Sequence, residues 1–427
     1  MKNKAIYLLP LVIFIFLFIF CGIYLNDFYA VSSVFLILIS LIITFFYFQG
    51  SFEEKFDTFL KGLSDKNVLL MCCVFILSSA FTALCDATQS IEYITFLILE
   101  YFPVSYIFIS VFILSCCLSF ALGTSVGTIV ALGPIVYKIG ELSPDSLPIL
   151  AGTLLGGAMF GDNLSFVSDT TIAATQTMHV NMKDKFKENG LLAFVAAILS
   201  IITLSMFSFE IDNSVTKPTN GSVILLIPYV LIITLALLGV HVIKVLLWAT
   251  FSAFLLLIIN NYGIVESINV FTKGMQGMFE IIILSLCIGG LVEMIRRAGG
   301  IDYIIQFLNK LIKNKISRIP FVIAALVSVI NISVANNTIA LLVSGPIANN
   351  ISDDFKINKP KITSILDIFS CIVQGFLPYG AQMLILLSMF QKKIDYLDVI
   401  KHSYYISFLL LVTIVSMIIS FRNQRTN

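Results

Sequence analysis

The segment FGDNLSFVSDTT, residues 160–171, places two carboxylates, Asp162 and Asp169, among Asn163, Ser165, Ser168, Thr170 and Thr171. Carboxylate, amide and hydroxyl oxygens are hard ligands, suited to an alkali cation and a proton that compete for one carboxylate. The preceding stretch, GTLLGGAMFG, carries four glycines, which permit close helix approach and a backbone break. A broken helix frees carbonyls and helix ends that can ligate a cation or orient a substrate. A carboxylate at the bilayer centre costs at least about 2.5–3.5 kcal/mol on insertion scales, so its presence there implies function. A plainer reading has Asp162 capping a helix and Asp169 starting the next. Which of the two carries a proton stays open.

Two further polar clusters lie in apolar surroundings. Asn336, Asn337 and Thr338 form one; QGFLPYGAQ forms the other, with Gln374, Tyr379 and Gln382 around the helix-breaking Pro378 and Gly380. Interhelical hydrogen bonding alone would also account for these residues. Asp367 lies seven residues before Gln374, on the same helical face, and is placed with the site. Asp86 and Glu293 fall near span ends, the depth of Glu280 is open, and Lys244 snorkels at a turn.

The elements that must hold these groups are membrane helices. Of 427 residues 58% are hydrophobic and only 12% charged, against about 25% charged in soluble domains. Residues 5–25, 30–48, 190–207 and 404–421 each approach the roughly 20 apolar residues that span a bilayer. The runs are continuous, not alternating, which excludes a β-barrel. The first reads as an uncleaved span, being too long for a signal-peptide core and lacking a small-x-small site. The expected fold is an all-α polytopic membrane protein of about 11–14 transmembrane helices. Two spans, 146–179 and 362–390, are too long for one straight helix and are read as broken. A net charge of +1 points to no nucleic-acid partner. The eight cysteines include no CxxC pair and the three histidines are scattered, so neither disulfides nor a transition-metal site is expected.

The chain repeats. IEYI at 91–94 matches IDYI at 301–304, and GPI at 133–135 matches GPI at 345–347. With GPI aligned, Thr124 and Ser125 meet Asn336 and Asn337, which adds Thr124 and Ser125 to the candidate site. Basic residues mark the cytoplasmic side. Lys2 and Lys4, the loop 49–67, the loop 181–189 (Lys183, Lys185, Lys187) and the loop 296–318 read as cytoplasmic. Residues 87–103 and 209–221, the latter with only Lys217, read as external; 391–402, with Lys392, Lys393 and Lys401, fits that side less well. The two units thus cross the membrane in opposite directions, a recurring plan of secondary transporters. The expected organisation is N-terminal spans 1–67, a first repeat 68–208, connecting spans 209–274 and an inverted repeat 275–427.

GGAMFGDNLSFVSDTTIAAT followed by MKDKF resembles the signature of NhaC-type sodium/proton antiporters, within a larger ion-transporter superfamily. SVANNTIALLVSGPIA and QGFLPYGAQ are similar to the same family, and the resemblance runs from about residue 70 onward. It implies an inner-membrane cation/proton exchanger working by alternating access, with its acidic motif at Asp162, Ser165, Ser168, Asp169, Thr170 and Thr171. Sodium would then sit at Asp162 and Asp169. Phe166 departs from the family pattern, which has proline after the first serine.

The expected function is export of Na+ in exchange for H+, with no cofactor, in a bacterial inner membrane with both termini cytoplasmic. A homodimer is compatible with it. No P-loop is present, so an ion gradient drives transport. The alternative keeps the fold and carries organic acids or amino acids. An anionic cargo would favour a basic residue in the site, and the only arginines in the core, Arg296 and Arg297, fall in a cytoplasmic loop. An intramembrane aspartyl protease fits poorly, because MFGD and Cys85-Asp86 stand where GxGD and YD are required.

Overall fold

A computed structural model describes residues 4–25, 30–166, 168–210, 222–260, 262–312, 318–391 and 393–422. Lys2, Lys217, Lys392 and, within the loop 296–318, Lys313 and Lys315 lie outside these residues. The described residues contain helices and no strand. The first ten helices are α1 (Leu9–Leu25), α2 (Ser33–Tyr47), α3 (Phe52–Leu63), α4 (Lys66–Ala87), α5 (Ser90–Tyr101), α6 (Ile107–Leu122), α7 (Ser125–Glu141), α8 (Leu147–Leu164), α9 (Asp169–Met178) and α10 (Met182–Leu204). After residue 222 come α11 (Ile227–Leu237), α12 (Val242–Ile259), α13 (Ile264–Gln276), α14 (Phe279–Arg297), α15 (Gly300–Ile312) and α16 (Ile319–Val334). The chain ends with α17 (Asn337–Asp354), α18 (Lys359–Phe376), α19 (Ala381–Met389), α20 (Tyr396–His402) and α21 (Tyr404–Arg422).

Among the described residues, six helices are long and apolar enough to cross a membrane, or eight if the bent pairs α13–α14 and α20–α21 each count as one span. The helices 33–47, 223–235 and 319–334 are apolar but shorter. Much of the remaining helix around the polar clusters is short because the sequence interrupts it. The expected span 146–179 is two helices, α8 and α9, parted at 165–168, and 362–390 is α18 and α19, parted at 377–380. Large aromatics of the first two helices face outward, Phe16, Phe20, Phe35 and Phe46 among them, as lipid-facing side chains do.

The two series of helices correspond closely. α3 and α13 begin at residues 52 and 264, α7 and α17 at 125 and 337, α9 and α19 at 169 and 381; the spacing is the same each time. Their packing corresponds too. α3 lies on α14, where Gly62 meets Gly289 and Gly290, while α13 lies on α4, where Gly274 meets Ala80 and Ala83. α9 crosses α17 with Thr177 against Gly345, and α19 crosses α7 with Met389 against Gly133. In each case a missing Cβ lets a helix of one series approach a helix of the other.

The segment 181–189 is a correction. It is the first two turns of α10, not a loop, because Asn181 caps the Lys183 amide and the following residues continue as helix. One of its lysines is consequently buried.

Candidate ion-binding site

The site grows from two helix ends. At the end of α6, Gly123 takes a left-handed conformation (φ 65°) and Thr124 is extended, so α7 restarts at Ser125 with its first amides unpaired. The last turn of α8 answers it. Asp162, buried, accepts the Ser125 N–H on Oδ1 at 3.0 Å and the Ser125 hydroxyl on Oδ2 at 2.5 Å. A carboxylate on a helix N-terminus satisfies orphan donors and meets the positive end of the helix dipole. Asp162 therefore does not cap its own helix; it binds the start of another.

The serine is held from the second series. Gln382 Nε2 donates to Ser125 Oγ at 3.0 Å, which leaves the serine hydrogen to Asp162, and Gln374 Nε2 donates to Gln382 Oε1 at 2.9 Å. Gln374 Oε1 is buried without a hydrogen-bond partner among the described residues. Tyr379 donates its hydroxyl to the Ile332 carbonyl at 2.7 Å and braces the break after α18. A cavity of about 300 Å³ is lined by Glu280, Leu284, Leu387 and Leu384 among others; Leu384 lies two residues along α19 from Gln382.

The corresponding ends in the second series are built alike but filled differently. Ala335 is left-handed (φ 51°) and Asn336 extended. Gln374 occupies the place of Asp162, two residues before the end of its helix. With no carboxylate there, the start of α17 is capped locally. Asn336 accepts the Ile339 amide at 2.9 Å and Asn337 accepts the Thr338 amide at 3.0 Å. The side chain of Thr338 is partly buried in that first turn. Thr124, partly buried, gives its carbonyl to the Thr128 hydroxyl.

The hydroxyls of SDTT mostly serve the broken backbone. Thr170 donates to the Asp162 carbonyl at 2.9 Å and lies 2.8 Å from the Ser168 hydroxyl. Ser165, buried, ends α8 with its amide on the Gly161 carbonyl. Asp169 opens α9 with its side chain exposed, and Asp162 is buried. Phe166, in the place of the family's proline, stacks on Phe186 of α10 with ring centroids 4.8 Å apart.

A second polar group adjoins the first through Asn163. Its carbonyl, freed at the end of α8, accepts Lys185 Nζ at 2.7 Å and Asn189 Nδ2 at 3.0 Å. Lys185 also donates to Thr171 Oγ1 at 2.7 Å and pairs with Asp367 Oδ2 at 2.7 Å; both charged side chains are within 1% of full burial. Asn189 joins the same carboxylate oxygen at 2.7 Å. Asp367 thus comes to the site as the sequence suggests. Lys185 and Asn189 were not expected there. Their signal is the buried face of α10, on which Lys185, Asn189, Ala193, Ala196 and Ser200 recur at helical spacing. Among the described residues no group of three or more His, Cys, Asp or Glu side chains could hold a metal.

An all-helical, multi-pass membrane chain with a buried carboxylate at the junction of broken helices is a secondary transporter. The profile of the Na+/H+ antiporter family matches residues 2–210 and again 211–422. The chain belongs to the Na+/H+ antiporter family. It is similar to the malate-2H(+)/Na(+)-lactate antiporter of Bacillus subtilis, 30% identical over 150 residues, a stretch covering 32% of each chain. It is similar also to the arginine/ornithine antiporter ArcD of Halobacterium salinarum, 21% identical over 78% of this chain and 75% of that one. The Na(+)/H(+) antiporter NhaC of Alkalihalophilus pseudofirmus is 22% identical over 66% of each chain. Among solved structures, the YdaH transporter of Alcanivorax borkumensis aligns at TM-score 0.46 and 13% identity, over 86% of this chain and 88% of that one.

Proposed function

We propose that the protein is a sodium/proton antiporter of a bacterial inner membrane, both termini cytoplasmic, with Asp162 as its exchange carboxylate. The observation that carries this reading is the bond from Asp162 through Ser125 to Gln382, which joins the two series of helices at one buried carboxylate. A dry site favours the neutral form of an acid and a bound cation favours the ionised form, so one carboxylate holds either a proton or a sodium ion. The Asp162 carboxylate, the Ser125 hydroxyl and the unpartnered Gln374 Oε1 supply hard oxygens to sodium. A proton on Oδ2 takes the place of the Ser125 hydrogen and turns that hydroxyl away. The state of Asp162 is thereby felt by Gln382 on the opposite series.

The matched spacing and reciprocal crossings support a repeat that takes in the whole chain. It is wider than 68–208 and 275–427, with 1–67 and 209–274 supplying the opening helices of each half. Halves of opposite orientation, rocking about Asp162, would expose it to either side in turn.

An organic anion is the weaker reading, although two relatives carry organic solutes in their names. The site does contain a basic residue, Lys185, contrary to the expectation from sequence. An ammonium group has three donors, however, and Lys185 uses three, on Asn163, Thr171 and Asp367. None is left for a cargo carboxylate.

The test is dye-reported proton flux in everted vesicles, with sodium, lithium, potassium and organic anions added in turn. Sodium-evoked flux is expected, and Asp162→Asn should abolish it while the protein stays in the membrane. A response to an organic anion without one to sodium overturns the reading.

A further inference from the structure

Lys185 is not required by the backbone around it. The Asn163 carbonyl that it contacts already holds Asn189 at 3.0 Å, so that carbonyl is satisfied without an ammonium group. What Lys185 alone brings is a positive charge beside Asp367. The oxygens around it exceed its three donors. Asp367 Oδ1, Asn163 Oδ1 and Asn189 Oδ1 are all buried, and none has a hydrogen-bond partner among the described residues. A carbonyl, a hydroxyl and a carboxylate, each 2.7 Å from one cationic nitrogen, with further unused oxygens near by, form the ligand set of a monovalent metal cation.

We propose that the Lys185 ammonium is a tethered cation seated in a second monovalent-cation site, formed by the Asn163 carbonyl, the Thr171 hydroxyl and the Asp367 carboxylate. Its role is to fill that site permanently. Asp367 stays neutralised by a charge that cannot leave, and only Asp162, the neighbour of Asn163 in the same helical turn, exchanges its ion. The protein then moves one sodium ion per cycle where an emptied lysine position would allow two. The inference deepens the sodium/proton reading and rests on it for the identity of the probe ion.

The experiment is equilibrium binding of radioactive sodium to the purified full chain and three variants: Lys185→Gln, Lys185→Arg, and Lys185→Gln combined with Asp367→Asn. Lys185→Gln should bind one more sodium ion per chain than the wild type, while Lys185→Arg and the double variant should gain none. A Lys185→Gln protein with no extra sodium overturns the proposal. If Lys185→Gln is recovered folded only when sodium chloride is present throughout purification, the free ion is replacing the tethered one, and the proposal is supported. If it stays unfolded in sodium chloride while Lys185→Arg folds, the pair is a structural brace and the proposal falls. Wild-type vesicles with no sodium-evoked flux refute the antiporter reading instead; a sodium ion gained by Lys185→Gln over the wild type still marks the second site.

Discussion

Asp162 and Asp169 look interchangeable in the sequence, and their surroundings separate them. Asp162 is buried and takes both donors of Ser125; Asp169 is exposed in the first turn of α9. Ser125→Ala removes the hydroxyl bond and leaves the amide bond. Hydrogen bonds to charged groups contribute about 1.5–3 kcal/mol, so half-saturating sodium should rise about tenfold or more in the vesicle assay. Asp169→Asn alters only an exposed charge at a helix start, and exchange should stay within about twofold of wild type. Loss of exchange in Asp169→Asn with retention in Asp162→Asn would reverse the assignment.

At the scale of elements, the glycines of GTLLGGAMFG fix how closely α8 packs on α6. A Cβ on Gly161 would overlap the Ser119 backbone of α6, and one on Gly157 would stand 2.9 Å from the Phe112 carbonyl. The Ser119 hydroxyl donates to the Ala158 carbonyl across the same close seam. Gly161→Val must push α8 from α6 and carry Asp162 with it. Overpacking of this kind costs about 1–3 kcal/mol. Flux per unit of protein should fall by more than tenfold, with lower membrane yield. Gly190 in α10 has nothing within 4 Å of a built Cβ, so Gly190→Ala should keep full flux and slightly raise thermal stability. Equal behaviour of the two variants would mean that the α6–α8 seam does not set the site.

For the whole molecule, the proposed rocking of the halves would register at the crossings of α9 on α17 and α19 on α7. A Cβ at Gly133 would stand 3.6 Å from Met389 Cβ, within the range of a disulfide. Gly133→Cys with Met389→Cys, in a background without the eight native cysteines, should block exchange on oxidation and recover it on reduction. Undiminished flux in fully cross-linked protein would exclude rocking at that crossing. The proposed inverted arrangement puts Lys393 and Lys61 on opposite faces of the membrane. Lys138 pairs with Glu92 at 3.2 Å, and Lys393 pairs with Glu141 at 3.0 Å, at the opposite end of α7 from Ser125. Single cysteines at Lys393 and Lys61 should react with impermeant reagents from outside and inside the cell respectively; both reacting from one side would refute the inverted arrangement.

Sequence alone determined the membrane class, the two broken spans and the family, and it put Asp162 and Asp169 forward as candidates without separating them. The physical reason is contrast: polar atoms within apolar runs are expensive in lipid, and glycine or proline beside them marks where a helix stops. The repeat was legible as well, because GPI and its polar neighbours recur in register. The tertiary structure alone decided what the polar residues touch. Lys185 sits between Lys183 and Lys187 in a run that reads as solvated, and its partner Asp367 lies in the other half of the chain. The Ser125–Gln382 bond joins residues 257 apart. Helical periodicity places Lys185 on a face; only the packing of α10 against α8 and α18 turns that face from water into a site.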